Sequence, residues 1–346
     1  MKPPPPRSTR RSPSTPGTRR RIGALVLATV VLAGVAVGYT VNVSGRGDRP
    51  AAAEESFELA GPRLYFRSAQ EGNGRIAHRP AAEQAPDAPR TTGGPSCDRF
   101  HAAGGTALCL QRRPGVPPRA YAIVLDRRLR ETRRIALPGI PDRARVSASG
   151  RMLSWTMFAV GDSYAGSSFS TRTSILDLRT GYLVKNMEQI PLTVDGRRYH
   201  APDVNYWGVT FARDDNRFYA TVSSKGRTRL VEGDMRTWSA RALRENVECP
   251  SLSPDNRLIA FKKKTGGADR GRPWRLHVLD LKTMREHPLA ETRGVDDQAA
   301  WLDDDTIAYA LPREDGRGTD VWTVLADGTG RPRLHVARAS SPTPVR

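Results

Sequence analysis

Hydrophobic residues are distributed along this chain in two different ways. From Ile22 to Val41 the sequence IGALVLATVVLAGVAVGYTV carries no charge, and at 1.5 Å per residue a 20-residue helix spans about 30 Å, the thickness of a hydrocarbon core. After residue 56 the apolar residues come instead in short runs of strand length, each preceded by a polar turn. The clearest phrase is Ser251 to Phe261, SLSPDNRLIAF. Others run from Ala300 to Tyr309 (AWLDDDTIAY), Phe211 to Ala220 (FARDDNRFYA) and Val146 to Trp155 (VSASGRMLSW), with fainter copies at Ala102 to Leu110 and Gly61 to Phe66.

The strand centres Leu64, Leu108, Leu153, Tyr219, Ile259 and Ile307 are separated by 44, 45, 66, 40 and 48 residues. A period of about 40–50 residues with several short strands per unit is the signature of a β-propeller, and the long step marks an insertion between Leu153 and Tyr219. Residues 57–338 number 282, or 47 for each of six units, enough for six four-stranded blades. A second phrase follows the first: Thr173 to Gly181, Trp274 to Thr283, and Val321 to Leu334 (VWTVLADGTGRPRL). Its Asp-Gly and Thr-Gly steps are hairpin chemistry. Its alternation sets Leu276 and Val278 on one face and Leu279 and Leu281 on the other, as a strand packed on both sides requires.

These two ordered phrases resemble the blades of TolB-type propellers, whose repeats read SPDG-x-x-IAF followed by IW-x-x-x-ADGTG-x-x-x-L. The likeness covers about 57–338 and is strongest in the last two units. It implies a six-bladed extracytoplasmic propeller used for protein binding, most similar to the anchored TolB-like propellers of actinobacteria. TolB carries an α/β domain before its propeller, whereas here residues 44–56, SGRGDRPAAAEES, are a short linker.

The expected organisation is therefore a disordered basic tail (1–21), a transmembrane helix (22–43), a linker (44–56), an all-β six-bladed propeller (57–338) and a C-terminal tail (339–346). Lys2, Arg7, Arg10, Arg11 and Arg19 to Arg21 precede the apolar run, and no basic residue follows it until Arg46. The positive-inside rule then puts the tail in the cytoplasm and the propeller outside. A cleaved signal peptide is the alternative; its apolar region is usually about 7–15 residues, shorter than this one.

Composition sharpens this picture. Gly (31) and Pro (27) together suit a turn-rich β chain, and the 26% of charged residues are those of a globular protein. The net charge is +19; the tail holds seven of the 55 basic residues and none of the 36 acidic ones, leaving +12 on the remainder. An extracytoplasmic domain without a reading helix is not expected to bind nucleic acid. An envelope protein or cell-wall component is the expected partner, besides the bilayer held by residues 22–43.

Candidate chemistry is sparse. Cys97 and Cys109 flank the Ala102–Gly105 turn and can oxidise outside the cytoplasm if the register sets them opposite; otherwise they are two thiols. Cys249 is the odd thiol, expected to be buried at the start of an inner strand. The six histidines fall in different units without metal-ligand spacing, and no cofactor is expected. Gly161 to Gly166, GDSYAG, departs from Gly-x-Ser-x-Gly at Ala165 and reads as a loop. Asp214-Asp215 and Asp303 to Asp305 read as turn residues rather than calcium ligands. Asp98, Asp142, Asp203, Glu248 and Asp297 each stand near the start of an innermost strand, and together would make an acidic channel mouth for a cationic ligand. The expected function is a non-enzymatic binding platform. The alternative is a propeller lyase or hydrolase acting on a glycan or peptide, which needs His101 or His200 within reach of a channel carboxylate.

Overall fold

The computed structural model describes residues 57–70, 74–159, 170–265 and 273–346. The basic tail, the apolar run, the linker and the Gly161 to Gly166 motif lie outside the described residues. Among the described residues no helix is long and apolar enough to cross a membrane.

The described strands form six sheets, and those of blades 2, 3, 5 and 6 are built in chain order from the channel outwards. Blade 2 comprises Arg99–Ala103, Thr106–Arg113, Arg119–Leu125 and Glu131–Leu137. Blade 3 comprises Gly139–Val146, Met152–Ala159, Thr171–Asp177 and Leu183–Val184. Blade 5 runs from Glu248–Leu252 to Glu286–Pro288, and blade 6 from Ala300–Trp301 to Arg333–Val336. The six apolar centres of the sequence phrase all lie on the second strand of their blades. The phrase recurs there because a polar turn must reverse the chain before each buried strand begins.

Blade 4 holds the insertion. Its four strands begin with Asn205–Phe211 and end with Ser239–Glu245. Leu192–Val194 then adds in parallel to the outer edge, and Arg197–Tyr199 pairs beyond it. This sheet of six strands departs from the expected four.

Blade 1 closes the ring with both chain ends. Ala339–Val345 is its innermost strand and pairs antiparallel with Arg63–Ser68, setting Val345 opposite Arg63 and Ala339 opposite Ser68. The expected tail 339–346 is thus a structural strand. Pro342 and Pro344 disguise it; they are tolerated because an innermost strand has a ladder on one side only. The Ala/Pro/Gly-rich stretch Pro80 to Pro95, which reads as one long surface loop, ends instead in the outer strand Thr91–Ser96.

Hydrophobic packing lies between blades. Leu276 and Val278 join Tyr309 and Val324 of blade 6, whereas Leu279 and Leu281 face Tyr219 and Leu230 of blade 4. That is the two-faced alternation read from the sequence. Leu64 and Phe66 of blade 1 meet Ala308, Val321 and Val336 of blade 6, sealing the last gap. Each large side chain so buried contributes about 1.5–3 kcal/mol.

Candidate functional site: the axial channel

The inner strands stand side by side around one axis, so residues of distant sequence meet there. At the end where these strands begin lie the five acids singled out above. Asp98 accepts from the Arg112 amide at 2.6 Å and pairs with its guanidinium at 2.8 Å. Asp203 accepts from Ser224 Oγ at 2.7 Å and the Lys225 amide at 2.5 Å, and Asp297 from the Ala310 amide at 3.0 Å. Glu248 Oε1 sits 3.3 Å from Lys264 Nζ, without the alignment of a hydrogen bond. In all four, the acid opening an inner strand meets the far end of the next strand in its own blade. Asp142 instead accepts from Arg143 Nη1 at 2.5 Å.

Only Asp142 and Asp297 are brought together, and cations hold them. Arg99 lies 3.7 Å from Asp142 and 3.8 Å from Asp297. Arg143 approaches Asp296 at 3.7 Å, and Lys262 Nζ donates to Asp296 at 2.6 Å. Burial acts to lower the Arg143 pKa, but Asp142, with Asp297 and Asp296, outweighs it and raises it. Burial acts to raise the Asp296 pKa, and Lys262 and Arg143 outweigh that and lower it. The expected acidic mouth is therefore an ion-pair network with Arg99, Arg143 and Lys262 set against Asp142, Asp296 and Asp297. The acids are visible in sequence, whereas the cations reach them only through strand register and ring closure.

The other end of the channel opens into a bowl of about 390 Å³. Its walls include Phe211, Leu252 and Trp301, its rim Arg127 and Arg213, and none of the described side chains lining it is acidic, although the terminal carboxylate of Arg346 lies beside Gly61 on its edge. His101, Arg145, Thr210, Ser251 and Ala300 all line it. Each stands two residues before the one whose amide closes the turn of its blade: Ser147, Ala212, Ser253 and Leu302 in blades 3 to 6, Ala103 in blade 2. This shared register is the signal from which the site was readable.

Two of these side chains tie neighbouring blades. Thr210 Oγ1 accepts the Leu252 amide at 3.1 Å, and His101 Nδ1 accepts the Val146 amide at 3.1 Å. Arg145 has no acceptor atom and crosses the axis instead. Its Nη2 reaches Ser251 Oγ at 3.4 Å and the Ala299 carbonyl at 3.2 Å, while Nη1 stands 3.1 Å from His101 Nε2. Burial, and to a smaller degree Arg143, lowers the Arg145 pKa to about 10, so it remains charged at neutral pH. Burial and the charge of Arg145 push His101 well below 6.5, so its ring is neutral.

The remaining candidates fall elsewhere. Cys97 and Cys109 form a disulfide with Cα atoms 5.5 Å apart, and Cys249 is a buried free thiol in the inner strand of blade 5. Asp214 and Asp303 accept amide hydrogen bonds within their own turns. His101 faces Arg145 rather than a carboxylate, and His200 lines an outer cavity beside the inserted strands of blade 4. Among the described residues no group of three His, Cys, Asp or Glu is placed to hold a metal ion.

No protein-family model and no curated protein matches the chain. Solved structures do. TolB from Acinetobacter baumannii superposes with a TM-score of 0.54 at 16% identity, over 82% of this chain and 67% of that one. A nidogen/laminin complex gives 0.50 at 12% identity, over 81% and 97%. A puromycin-hydrolysing peptidase from Mycobacterium tuberculosis gives 0.48 at 16% identity, over 80% and 45%. At these identities the likeness is one of fold: the chain is a six-bladed β-propeller, similar in fold to TolB.

Proposed function

We propose that the chain is a membrane-anchored, extracytoplasmic, non-enzymatic platform that binds an envelope protein or cell-wall component. Residues 22–43 hold it to the lipid bilayer, and the bowl is its recognition face. The observation that carries this reading is the asymmetry of the channel. One end is filled by paired charges, and the other is concave, part apolar and edged by arginines that have no carboxylate partner among the described residues. Loops and strand ends on a rigid ring are where such folds concentrate recognition. The uncharged run Ile22 to Val41 behind three arginines supports the anchor, and the Cys97–Cys109 bond supports an oxidising compartment.

The test is a cross-linked pull-down of the full chain, tagged at its N-terminus, from intact cells. Its paired control is Arg213→Glu, an exposed change on the bowl rim. A specific envelope partner that disappears with Arg213→Glu is the expected result. A partner retained by the variant moves recognition off the bowl, and the lack of any specific partner overturns the platform.

A further inference from the structure

Donor and acceptor positions at the bowl floor do not balance. A backbone amide only donates, so the Val146 amide that meets His101 Nδ1 fixes that nitrogen as the acceptor. In a neutral imidazole the proton then sits on Nε2. Arginine also only donates. The 3.1 Å approach of Arg145 Nη1 to His101 Nε2 therefore sets one N–H against another. Arg145 is 9% exposed, and its Nε–H is buried without an acceptor among the described residues. Its other contacts, at 3.2 and 3.4 Å, are long for charged donors. No carboxylate among the described residues pairs with it. The acid whose charge most favours it, Asp297, is engaged by the Ala310 amide and Arg99.

A buried cation beside converging N–H groups calls for an oxyanion. We infer that the floor of the bowl receives a carboxylate, one oxygen taking Arg145 and the other His101 Nε2–H, presented by an acidic peptide segment. The inference rests on the bowl being the recognition face. Arg127 and Arg213, exposed at the rim and without carboxylate partners among the described residues, add a positive field that draws such a segment in. The side-chain carboxylates near the rim are already engaged: Asp126 by Arg130, Asp214 by Arg217, Asp215 by Ser149, and Asp255 by Ser253, and the terminal carboxylate of Arg346 lies against Gly61 at the edge. A peptide is favoured over a phosphate polymer because Phe211, Leu252 and Trp301 offer apolar wall that amino-acid side chains cover and a polyol phosphate does not.

The test is calorimetric titration of the full chain in nanodiscs with three probes: acetyl-tetraglutamate amide, acetyl-tetraglutamine amide and inorganic phosphate. Intrinsic tryptophan fluorescence, to which Trp301 is one of six contributors, serves as a second readout. The glutamate peptide is expected to bind and the glutamine peptide not to. Affinity is expected to fall as salt rises, by about tenfold with Arg145→Lys, where loss of the fork geometry removes a charged hydrogen bond. Arg213→Ala, on the exposed rim, is expected to weaken binding about threefold. Equal binding of the two peptides, phosphate binding without peptide binding, or an unchanged affinity in folded Arg145→Lys overturns the inference. If Arg145→Lys melts much lower than the parent, Arg213→Ala decides, and an unchanged affinity there overturns it. Failure here with a partner still lost from cells by Arg213→Glu leaves the platform standing and removes only the carboxylate.

Discussion

Reduction of the Cys97–Cys109 bond tests the compartment and the fold together. The bond closes a loop of sequence separation 12 and is packed with Tyr65, Ile76 and Phe100 between blades 1 and 2. Loop-closure entropy for about 12 residues is near −9.5 cal/mol/K, so the bond stabilises the folded chain by about 3 kcal/mol at 25 °C. Against a total of about 5–15 kcal/mol this is a large share. At a slope of about 3 kcal/mol/M the urea midpoint should fall by roughly 1 M on reduction. Reduction is a cleaner perturbation than substitution, because two alanines would also remove buried sulfur from that core. The companion assay counts thiols in chain recovered from intact cells. Cys249 is the buried free thiol, so maleimide should label one cysteine after denaturation and three after denaturation with reductant. Three labelled thiols without reductant, or an unmoved midpoint, would refute both the bond and the oxidising location.

Three further outcomes are expected. Gly208 has φ +65° at a bulge, and a Cβ there would stand 2.8 Å from Cys249 Cα in the next blade; Gly208→Ala should cost roughly 3 kcal/mol from left-handed strain and displaced backbone, read by urea denaturation. Ending the chain after Arg338 removes five register pairs to Arg63–Ser68, and at about 1 kcal/mol per ladder bond the loss of about 5 kcal/mol should lower Tm by about 10 °C or more. His277 and His335 are pushed down to about 4, both chiefly by burial, with Lys263 and Arg79 respectively adding to it. The unfolded chain therefore binds more protons between pH 6.5 and 4, so stability is full above about 6.5 and falls as pH drops through that window; Tm against pH should flatten in His335→Gln, and an unchanged slope there would exclude His335 as a contributor.

What the sequence discloses follows the range of the interactions. A turn such as Ser253 to Asn256 and the strand after it are local, so the second strands of all six blades were legible. The insertion was legible as a long step, but not that it would widen blade 4, because the parallel pairing of Leu192 with Ala240 joins residues far apart. The closing strand was hidden by its prolines, which normally argue against a ladder position. The acids at one end of the channel were legible and their neutralisation was not: Arg99 lies in blade 2 and reaches Asp297 beside blade 6. His101 and Arg145 are 44 residues apart and meet only because two inner strands converge on one axis.

Closure by the last strand also bears on how the protein acquires its fold. Arg63 pairs with Val345, so the final ladder joins nearly the two extremes of the propeller sequence. Such pairing is slow to search for, because loop-closure entropy is lost before the contact forms. Until Ala339–Val345 arrives, Arg63–Ser68 presents an open edge and the apolar faces of blades 1 and 6 are unsealed. A chain crossing a membrane from its N-terminus would carry that adhesive edge through almost the whole of its passage. The interval before closure is when a chaperone has most to do, and when neighbouring copies are most able to exchange their final strands.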